Sequence, residues 1–564
     1  RNIVTWSALI KGYCQQNYGE EALVIFMQMQ KEGMDPDRVI YVTILKACTS
    51  VSFAKAKQIH AEIIGRGFES DEWICNALVD MYANCGHLRI AWEILVKLPV
   101  KDILSWNILI GGYGMQNCPE EVLRSVEEMQ CMGVCPNDFT FICVLRACSS
   151  LQDIEKGIGT HAEIARKGLL DGIHVLGNAL IDMYCNCSSF AKAQEVFDNL
   201  LVRDLRSWTA LIAGYGKHNF AKEVLCCTSQ MHLEGIFPDS VTFVWSLKAC
   251  MNMGALCEGI RIHIEIARMG WLEWDVVIGS TLVEMYAQCY SLARAQEVFD
   301  MLVIRDVVSW NALITAYCEY GHGEEALNCY DRMRCDGVTP DAITFMCSLK
   351  ACSIIGDIEK GHEIYGEIFR EGLFYKDLAI GNAVVTMYAE CGFLREAIEV
   401  FDMLPVRDTI SWNAMTAMFV KHGLHKDALK LYKKMMQEKV SPDRATFVSL
   451  LDACANEAVV SIGRKVHASF AGSSFEFNVV IGTALVNMYG KYGDLENAWR
   501  IFNLLPHRNT VSWNGMITSY SLHNQPKRAL NLFEQMMQEG IMPDKFIFVS
   551  ILSTHATKED LADG

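Results

Sequence analysis

The sequence lacks the features that mark several common classes of protein. It has only 11 prolines among 564 residues and is 51% apolar, which excludes a disordered chain. Lysine and arginine number 50 against 67 acidic residues, and the resulting charge of −17 argues against a polybasic nucleic-acid or membrane binder. Basic residues confined to one groove are not excluded. No stretch of about 18 residues is predominantly apolar, so we expect no membrane-spanning helix.

Signatures of metal binding and catalysis are missing as well. None of the 23 cysteines forms a C-x-x-C pair, and there is no glycine-rich phosphate loop, G-x-S-x-G elbow or pair of catalytic carboxylates. His60, His161 and His263 each precede a glutamate by two residues, as in zinc cytidine deaminases, but the C-x-x-C that completes such a site is absent. We expect these histidines to be packing residues, with Tyr365 in their place in the fourth repeat. We therefore expect no catalytic residue, no metal and no cofactor.

Periodicity dominates the sequence. Similar residues return about every 102 positions, and each unit contains three related segments of about 35, 35 and 31 residues. The most regular series are Trp6, Trp106, Trp208, Trp310, Trp412 and Trp513, and Pro36, Pro136, Pro238, Pro340, Pro442 and Pro543.

Each segment has the pattern of two helices. Trp6, Leu9 and Tyr13 lie on one apolar stripe with helical spacing, a second stripe runs from Ala22 onward, and Gly33 stands where a helix C-cap belongs. A helix pair of this length cannot bury its stripe alone, so neighbouring pairs must stack. We predict an all-α fold, a right-handed α-solenoid of stacked helix-turn-helix repeats.

The segments resemble the motifs of the pentatricopeptide repeat proteins, specifically of the land-plant subclass in which P, L and S motifs alternate. The resemblance is carried by Asp306-Val-Val-Ser-Trp-Asn-Ala-Leu-Ile, Gly381-Asn-Ala-Val-Val-Thr-Met-Tyr-Ala and Ala397-Ile-Glu-Val-Phe-Asp, with counterparts in the other repeats. It covers residues 1–564 as a single array. P motifs start at residues 3, 103, 205, 307, 409 and 510, S motifs start at 72, 174, 276, 378 and 479, L motifs lie between them, and a truncated L motif occupies 545–564.

One position within the apolar stripe of the first helix, the fifth of the motif, is polar in every P and S motif. It holds Ser7, Asn76, Asn107, Asn178, Thr209, Ser280, Asn311, Asn382, Asn413, Thr483 and Asn514. In the L motifs it is apolar, with Val42, Ile142, Val244, Met346 and Val448. One hypothesis is that the polar side chains satisfy backbone donors at the helix start. The other is an array of tips that each meet one nucleobase edge, because repeats of this kind read one base per unit.

The resemblance implies that the last residue of each motif reads the base together with the fifth. These residues are Asp37, Asp102, Asn137, Asp204, Asp239, Asp306, Asp341, Asp408, Asp443, Asn509 and Asp544. A carboxylate before a helix is also a typical N-cap, and one residue can serve both roles. The resemblance further implies that the second residue is an apolar wedge between bases, as at Val4, Val175, Val277 and Val308. Arg206 departs from that pattern and would instead stack on a base or touch a phosphate.

The code of the resembling family implies a target sequence. Asn with Asp favours U, Asn with Asn favours C, Thr or Ser with Asp favours G, and Thr or Ser with Asn favours A. With the amino-terminal end toward the RNA 5′ end and N for each L motif, the predicted site is 5′-GNUCNUGNGUNUUNAU-3′.

The resemblance thus implies a protein that binds single-stranded RNA in the mitochondrion or chloroplast and selects cytidines for C-to-U editing. The chain begins at Arg1 without a methionine or transit peptide, and we expect a fragment or processed form. Deaminase-like domains usually follow such arrays, so we expect this chain to recognise RNA without being an enzyme. A missing domain, an editing deaminase or an editing cofactor protein would supply the chemistry, and no membrane partner is expected. The alternative is a protein-binding scaffold of the tetratricopeptide type, which predicts charged or aromatic groove residues.

Overall fold

A computed structural model describes residues 2–16, 18–49, 53–69, 71–98, 101–170, 174–457, 460–470 and 478–551 of the chain. Over these residues it consists of helices and loops without a β-strand, and the chain divides into two compact units, Arg1–Cys289 and Tyr290–Gly564.

The helices of the first unit are α1 Ile3–Gln15, α2 Gly19–Lys31, α3 Arg38–Cys48, α4 Phe53–Gly65, α5 Glu72–Asn84, α6 Leu88–Lys97, α7 Ile103–Met115, α8 Pro119–Cys131, α9 Asp138–Leu151, α10 Ile154–Arg166, α11 His174–Asn186, α12 Phe190–Asp198, α13 Leu205–Lys217, α14 Ala221–Leu233, α15 Ser240–Met253, α16 Leu256–Arg268 and α17 Val276–Gln288. A short 3-10 helix, Trp271–Glu273, precedes α17.

The helices of the second unit are α18 Leu292–Met301, α19 Val307–Glu319, α20 Gly323–Cys335, α21 Ala342–Ile355, α22 Ile358–Arg370, α23 Leu373–Lys376, α24 Leu378–Glu390, α25 Leu394–Met403, α26 Thr409–Lys421, α27 His425–Gln437, α28 Arg444–Glu457, α29 Val460–Phe470, α30 Val479–Lys491, α31 Leu495–Leu504, α32 Thr510–Leu522 and α33 Pro526–Gln538.

Within each unit the helices form hairpins that stack on one another. In the first unit α1 packs against its partner α2 and against α3, and the first helices continue in contact from α3 through α5, α7 and α9. In the second unit α19, α21, α24, α26, α28, α30 and α32 follow one another in the same way. The predicted all-α fold of stacked helix-turn-helix repeats is therefore confirmed. The division into P, L and S motifs and the single array over 1–564 stay predictions, and residues 552–564 lie outside the described residues.

The repeated tryptophan lies at the centre of the hairpin packing, but the stripe of α1 is only partly buried. Trp6 is buried, as predicted, whereas Leu9 and Tyr13 are exposed, so that part of the prediction is wrong. Leu109, at the position of Leu9 in α7, is buried. Leu109 is buried where α7 packs against the preceding α5.

Two glycines meet distinct geometrical demands. Gly33 follows α2 with φ of +76°, which confirms the predicted helix end, because this left-handed backbone region strains other residues. Gly259 in α16 lies so close to Met285 of α17 that an added Cβ would be 2.5 Å from the sulfur. The glycine therefore lets the two helices approach closely.

Candidate nucleic-acid interface

The last residue of each predicted motif caps the helix that follows it. Oδ1 of Asp102 accepts a hydrogen bond from the backbone N–H of Ser105 at 2.9 Å. The same type of bond is made by Asp37, Asn137, Asp204, Asp239, Asp306, Asp341, Asp408, Asp443, Asn509 and Asp544. Each side chain satisfies a donor that the helix itself leaves unpaired. The N-cap role considered for this position is confirmed.

Four asparagines at the fifth position reach the capping residue of the next helix. Their Nδ2 donates to Oδ1 in the pairs Asn107 with Asn137 (3.1 Å), Asn311 with Asp341 (2.9 Å), Asn382 with Asp408 (3.0 Å) and Asn413 with Asp443 (2.9 Å). A carboxylate only accepts hydrogen bonds, so an aspartate turns the NH2 end of the amide toward itself. At these places the structure brings the two predicted base-reading residues together.

In the other predicted pairs, no side-chain amide of the fifth residue donates a hydrogen bond to the capping residue. Across the described ranges, no hydrogen bond links Ser7 with Asp37, Asn76 with Asp102, Asn178 with Asp204, Thr483 with Asn509 or Asn514 with Asp544. Oγ1 of Thr209 lies 3.3 Å from Oδ2 of Asp239. Ser280 and Asp306 belong to different units, and their pairing stays a prediction.

Threonine and serine at the fifth position bond to their own helix. Oγ1 of Thr209 donates to the carbonyl of Leu205 at 2.8 Å, and Oγ1 of Thr483 donates to that of Val479 at 2.7 Å. Ser280 makes the equivalent bond. A hydroxyl carries one proton, so these side chains keep acceptor capacity for a ligand but no free donor. The hypothesis that the fifth residue satisfies backbone donors is wrong for these residues, because the three hydroxyls donate to carbonyls and four of the asparagines bind the cap of the next helix.

In some contacts between hairpins, a threonine at the third position of the following helix forms a hydrogen bond with the amide oxygen of the fifth-position asparagine. Its hydroxyl donates to Oδ1 of the asparagine in the pairs Thr140 with Asn107 (2.7 Å), Thr344 with Asn311 (2.6 Å) and Thr446 with Asn413 (2.5 Å). We name these contacts, each an asparagine, its capping residue and the threonine, threonine junctions. In them both ends of the amide are hydrogen-bonded.

In other contacts the third position is a serine, and the amide oxygen of the asparagine has no hydrogen-bond partner among the described residues. Oγ of Ser411 donates to the backbone carbonyl of Asp408 at 2.8 Å and turns away from Asn382. Among the residues that the structure describes, Oδ1 of Asn382 is buried without a partner, and the residue is 5% exposed. Oδ1 of Asn76 and of Asn178 is in the same state. We name these contacts, with serines Ser411, Ser105 and Ser207 respectively, serine junctions.

Two carboxylates of the threonine junctions are held in the ionised form. Burial raises the pKa of Asp341, but hydrogen bonds from the backbone N–H of Thr344 and from the amide of Asn311 outweigh it and lower the pKa below its ordinary value. The pKa of Asp443 is lowered in the same way by its own threonine and asparagine. The orientation of these two asparagine amides therefore persists across the neutral pH range.

Exposed apolar side chains accompany the polar tips. The second residue of the predicted motifs is exposed at Val4, Leu104, Val175, Val277, Val308, Ile410, Val480 and Val511. Arg206, which departs from the apolar pattern, is exposed too. Apolar surface at regular intervals costs hydration free energy that a flat apolar partner, such as a base, would recover.

Two cavities are each lined by second residues and by a fifth residue of the predicted motifs. The larger, of about 600 Å³, lies within the second unit and is lined among others by Val480, Thr483, Asn509 and Val511. One of about 370 Å³ within the first unit is lined among others by Leu104, Asn107 and Phe139. Each therefore combines the second residues of two successive motifs with a fifth residue, which is the arrangement needed to hold one base edge between two apolar contacts.

The repeated histidines lie between helices. Nδ1 lies 2.8 Å from a tyrosine hydroxyl in the pairs His60 with Tyr82, His161 with Tyr184 and His263 with Tyr286. Burial lowers the pKa of His60 and of His161 below the ordinary value. These contacts agree with the predicted packing role.

The fourth repeat uses a histidine that the sequence analysis missed. Tyr365 does not replace the lost hydrogen bond, because His362, one turn earlier in α22, places Nδ1 2.7 Å from the hydroxyl of Tyr388. A histidine three positions earlier on the same helix face was the available signal. In the described ranges no cluster of three or more His, Cys, Asp or Glu side chains is placed to hold a metal ion, and none of the helices is long and apolar enough to cross a membrane.

Comparison with known proteins finds the same repeat in nine segments of the chain. The PPR repeat family matches residues 1–50, 101–150, 305–354, 407–456 and 508–556, and the PPR repeat matches 178–205, 206–236, 382–408 and 483–509. Pentatricopeptide repeat-containing protein At3g03580 of Arabidopsis thaliana is 30% identical over 98% of this chain, which spans 62% of that relative. Pentatricopeptide repeat-containing protein At2g03380, mitochondrial, from the same plant is 30% identical over 90% of this chain and 73% of its own length. Another relative is named chloroplastic.

The fold is also found among solved structures. The pentatricopeptide repeat protein PPR10 from maize is 18% identical to this chain, with a TM-score of 0.59 over 100% of this chain and 82% of PPR10. PPR10 has also been solved in complex with an 18-nt psaJ RNA element, with a TM-score of 0.61. At this identity the likeness concerns the fold.

Proposed function

We propose that this chain, which belongs to the pentatricopeptide repeat proteins, binds single-stranded RNA and reads one base with each P and S motif. The observation that carries the proposal is the pairing of a fifth-position amide with the cap of the next helix, repeated with exposed apolar residues beside it. A capping residue needs no amide partner to do its work, so the recurrent pair supports a second role. The PPR10–RNA complex supports RNA as the ligand of this fold.

The base-reading residues that we propose are the fifth and last residues of the P and S motifs given above. They read 5′-GNUCNUGNGUNUUNAU-3′, and the L motifs leave their bases unspecified. Val480 and Val511 illustrate the apolar contacts on either side of a base. Because binding through base edges neutralises few phosphates, an acidic chain can bind RNA with a weak dependence on salt.

The wider role that we propose is the choice of a cytidine for C-to-U editing. The alternation of three motif types is that of the land-plant subclass, and relatives named mitochondrial or chloroplastic support an organellar setting. The chain itself recognises RNA, and an editing deaminase or editing cofactor protein supplies the chemistry.

Competition binding tests this proposal. A labelled RNA with the proposed sequence is titrated with the chain, and unlabelled competitors carry the same bases in shuffled order. We expect the shuffled RNA to compete at least tenfold less well, the fold-change that two or three lost base contacts readily exceed. Equal competition, or binding to a peptide array in place of RNA, would contradict the proposal in favour of a protein-binding scaffold.

A further inference from the structure

We infer that the serine junctions discriminate U from C more strongly than the threonine junctions, because only they keep an unused acceptor on the reading asparagine. The inference rests on the proposed function, and it adds the third residue of the following helix to the two that read the base. It compares sites that the two-residue code treats as identical, since Asn311 and Asn382 both pair with an aspartate.

The difference lies in what the third residue does with its hydroxyl. In the second unit, Oγ1 of Thr344 lies 2.6 Å from Oδ1 of Asn311 and 2.9 Å from Oδ1 of Asp341. Donation of its one proton along the shorter contact satisfies the asparagine oxygen before any ligand arrives. Ser411 instead donates to a backbone carbonyl, and Oδ1 of Asn382 has no partner among the described residues. The two NH2 groups are held alike, at 2.9 and 3.0 Å from their aspartates.

The bases U and C differ in the atom that such an oxygen would meet. N3 of uracil carries a proton and donates, whereas N3 of cytosine accepts. A buried acceptor without a partner is unstable, so a donor that reaches it recovers more free energy than a donor that meets an oxygen already bonded. To meet the base, the oxygen must turn about the last side-chain bond, which breaks one hydrogen bond at Asn382 and two at Asn311. The N3 proton of uracil therefore gains more free energy at Asn382 than at Asn311, and N3 of cytosine, which is an acceptor, gains nothing at either oxygen.

The third residue acts here as a positioning residue, because it sets the hydrogen bonding of the asparagine without touching the base. Asn413, whose Oδ1 accepts from Thr446 at 2.5 Å, provides a second threonine junction in the same unit. It should therefore behave like Asn311, although its neighbour along the RNA is the base of Asn382.

The test uses the unmodified chain and three RNAs, each with one U→C change at the base assigned to Asn311, Asn382 or Asn413. We expect the change at the Asn382 base to weaken binding about fivefold more than either of the others, the equivalent of about 1 kcal/mol. Equal losses at all three bases would overturn the inference and leave the proposed function standing. No binding of the parent RNA would instead contradict the proposed function.

Two variants separate the hydroxyl from other effects. Thr344→Val removes the donor with little change of shape, and we expect the U-over-C ratio at the Asn311 base to rise to that of the Asn382 base. Ser411→Ala is the matched control, because this serine does not contact the amide oxygen. It should leave the ratio at the Asn382 base unchanged. A ratio that stays constant in Thr344→Val, or that shifts equally in Ser411→Ala, would overturn the inference.

Discussion

Two kinds of contact between hairpins can be compared: polar junctions, where the fifth residue is polar, and apolar junctions, where it is apolar. Both kinds have Asp or Asn caps, but the side chains around the cap differ. Asp275, the last residue of an L motif, accepts from the backbone N–H groups of Val277 and Ile278, much as Asp341 accepts from Thr344. At the apolar junctions the third residue of the following helix is also apolar and fully buried: Ile74, Leu176, Ile278, Ile380 and Ile481. The fifth and third residues change together except at Ser7 and Asn514, whose following helices have Ile40 and Ile547 at the third position. Elsewhere a polar fifth residue is matched by a threonine or serine, because a buried hydroxyl or amide requires a partner.

This comparison teaches that the capping residue by itself is not a base reader. A side-chain cap serves the start of the helix, and it is present at both kinds of junction. Only an amide or hydroxyl at the fifth position gives the cap a side-chain neighbour, as between Asn311 and Asp341. Base reading is expected only at junctions whose fifth residue is polar.

The strongest expected effect comes from removing a fifth residue at a polar junction. Asn311→Ala should weaken RNA binding by about 1–3 kcal/mol, the value of one good base contact. Met346→Ala, at the fifth position of the next motif, is the matched control and should leave base preference unchanged. Titration of each variant with the RNA and with its single-base changes measures both effects. An equal loss of selectivity in the two variants would remove the distinction between the junctions.

A histidine outside the junctions should affect folding and not selectivity. His161→Ala removes the hydrogen bond to Tyr184 and should lower the free energy of unfolding by about 1 kcal/mol. Chemical denaturation measures the loss, and the base preference of the folded variant should be that of the parent chain. A changed base preference with unchanged stability would contradict the assignment.

The same histidines should make stability depend on pH. Burial lowers the folded-state pKa of His60 and His161 below the ordinary value of about 6.5. At a pH between the folded-state pKa and the unfolded-state pKa of about 6.5, the unfolded chain binds more protons than the folded chain. The contribution of these histidines to stability is therefore fully present above about pH 6.5 and falls as the pH drops toward the folded-state pKa. Denaturation midpoints from pH 7.5 to 5 measure this, and His161→Ala should reduce the slope. A midpoint that rises on acidification over this range would contradict it.

The smallest effect is expected at the apolar wedges, which accompany both kinds of junction. Val480→Ala removes apolar surface beside the cavity of the second unit and should weaken binding by about 1 kcal/mol or less. The loss should be similar for every base offered there. A change in preference among the bases would mean that Val480 takes part in reading.

Much of this arrangement could be predicted from the sequence, because it depends on local rules. We could predict where the first helices begin and how they are capped from three local signals. These are the helical spacing of apolar residues, the prolines and glycines between helices, and the Asp or Asn before each first helix. The contacts of the fifth residue could not be predicted in the same way. Whether Asn382 or Asn311 has a free oxygen depends on the direction in which a neighbouring hydroxyl turns, which is decided by packing between hairpins.

Other departures have the same origin in tertiary contacts. Leu9 and Leu109 have the same place in the helical spacing, yet Leu9 is exposed and Leu109 is buried against neighbouring helices. Tyr365 stands where the other repeats have the histidine, yet His362 makes the contact to the tyrosine hydroxyl from the preceding turn of the helix. A repeat aligned by sequence position alone does not show such compensation.

The most direct test of the account is selection of bound RNAs by the chain and by Asn509→Asp. Asn509 caps α32 through the backbone N–H of Ser512, and aspartate can make the same bond, so the fold should be kept. We predict that the base assigned to Thr483 and Asn509 changes from A to G while every other preference stays the same. Asn478→Asp is the control, because Asn478 caps α30 at an apolar junction and should change no base. Identical selected sequences from the chain and from Asn509→Asp would contradict the claim that the fifth and last residues together read the base.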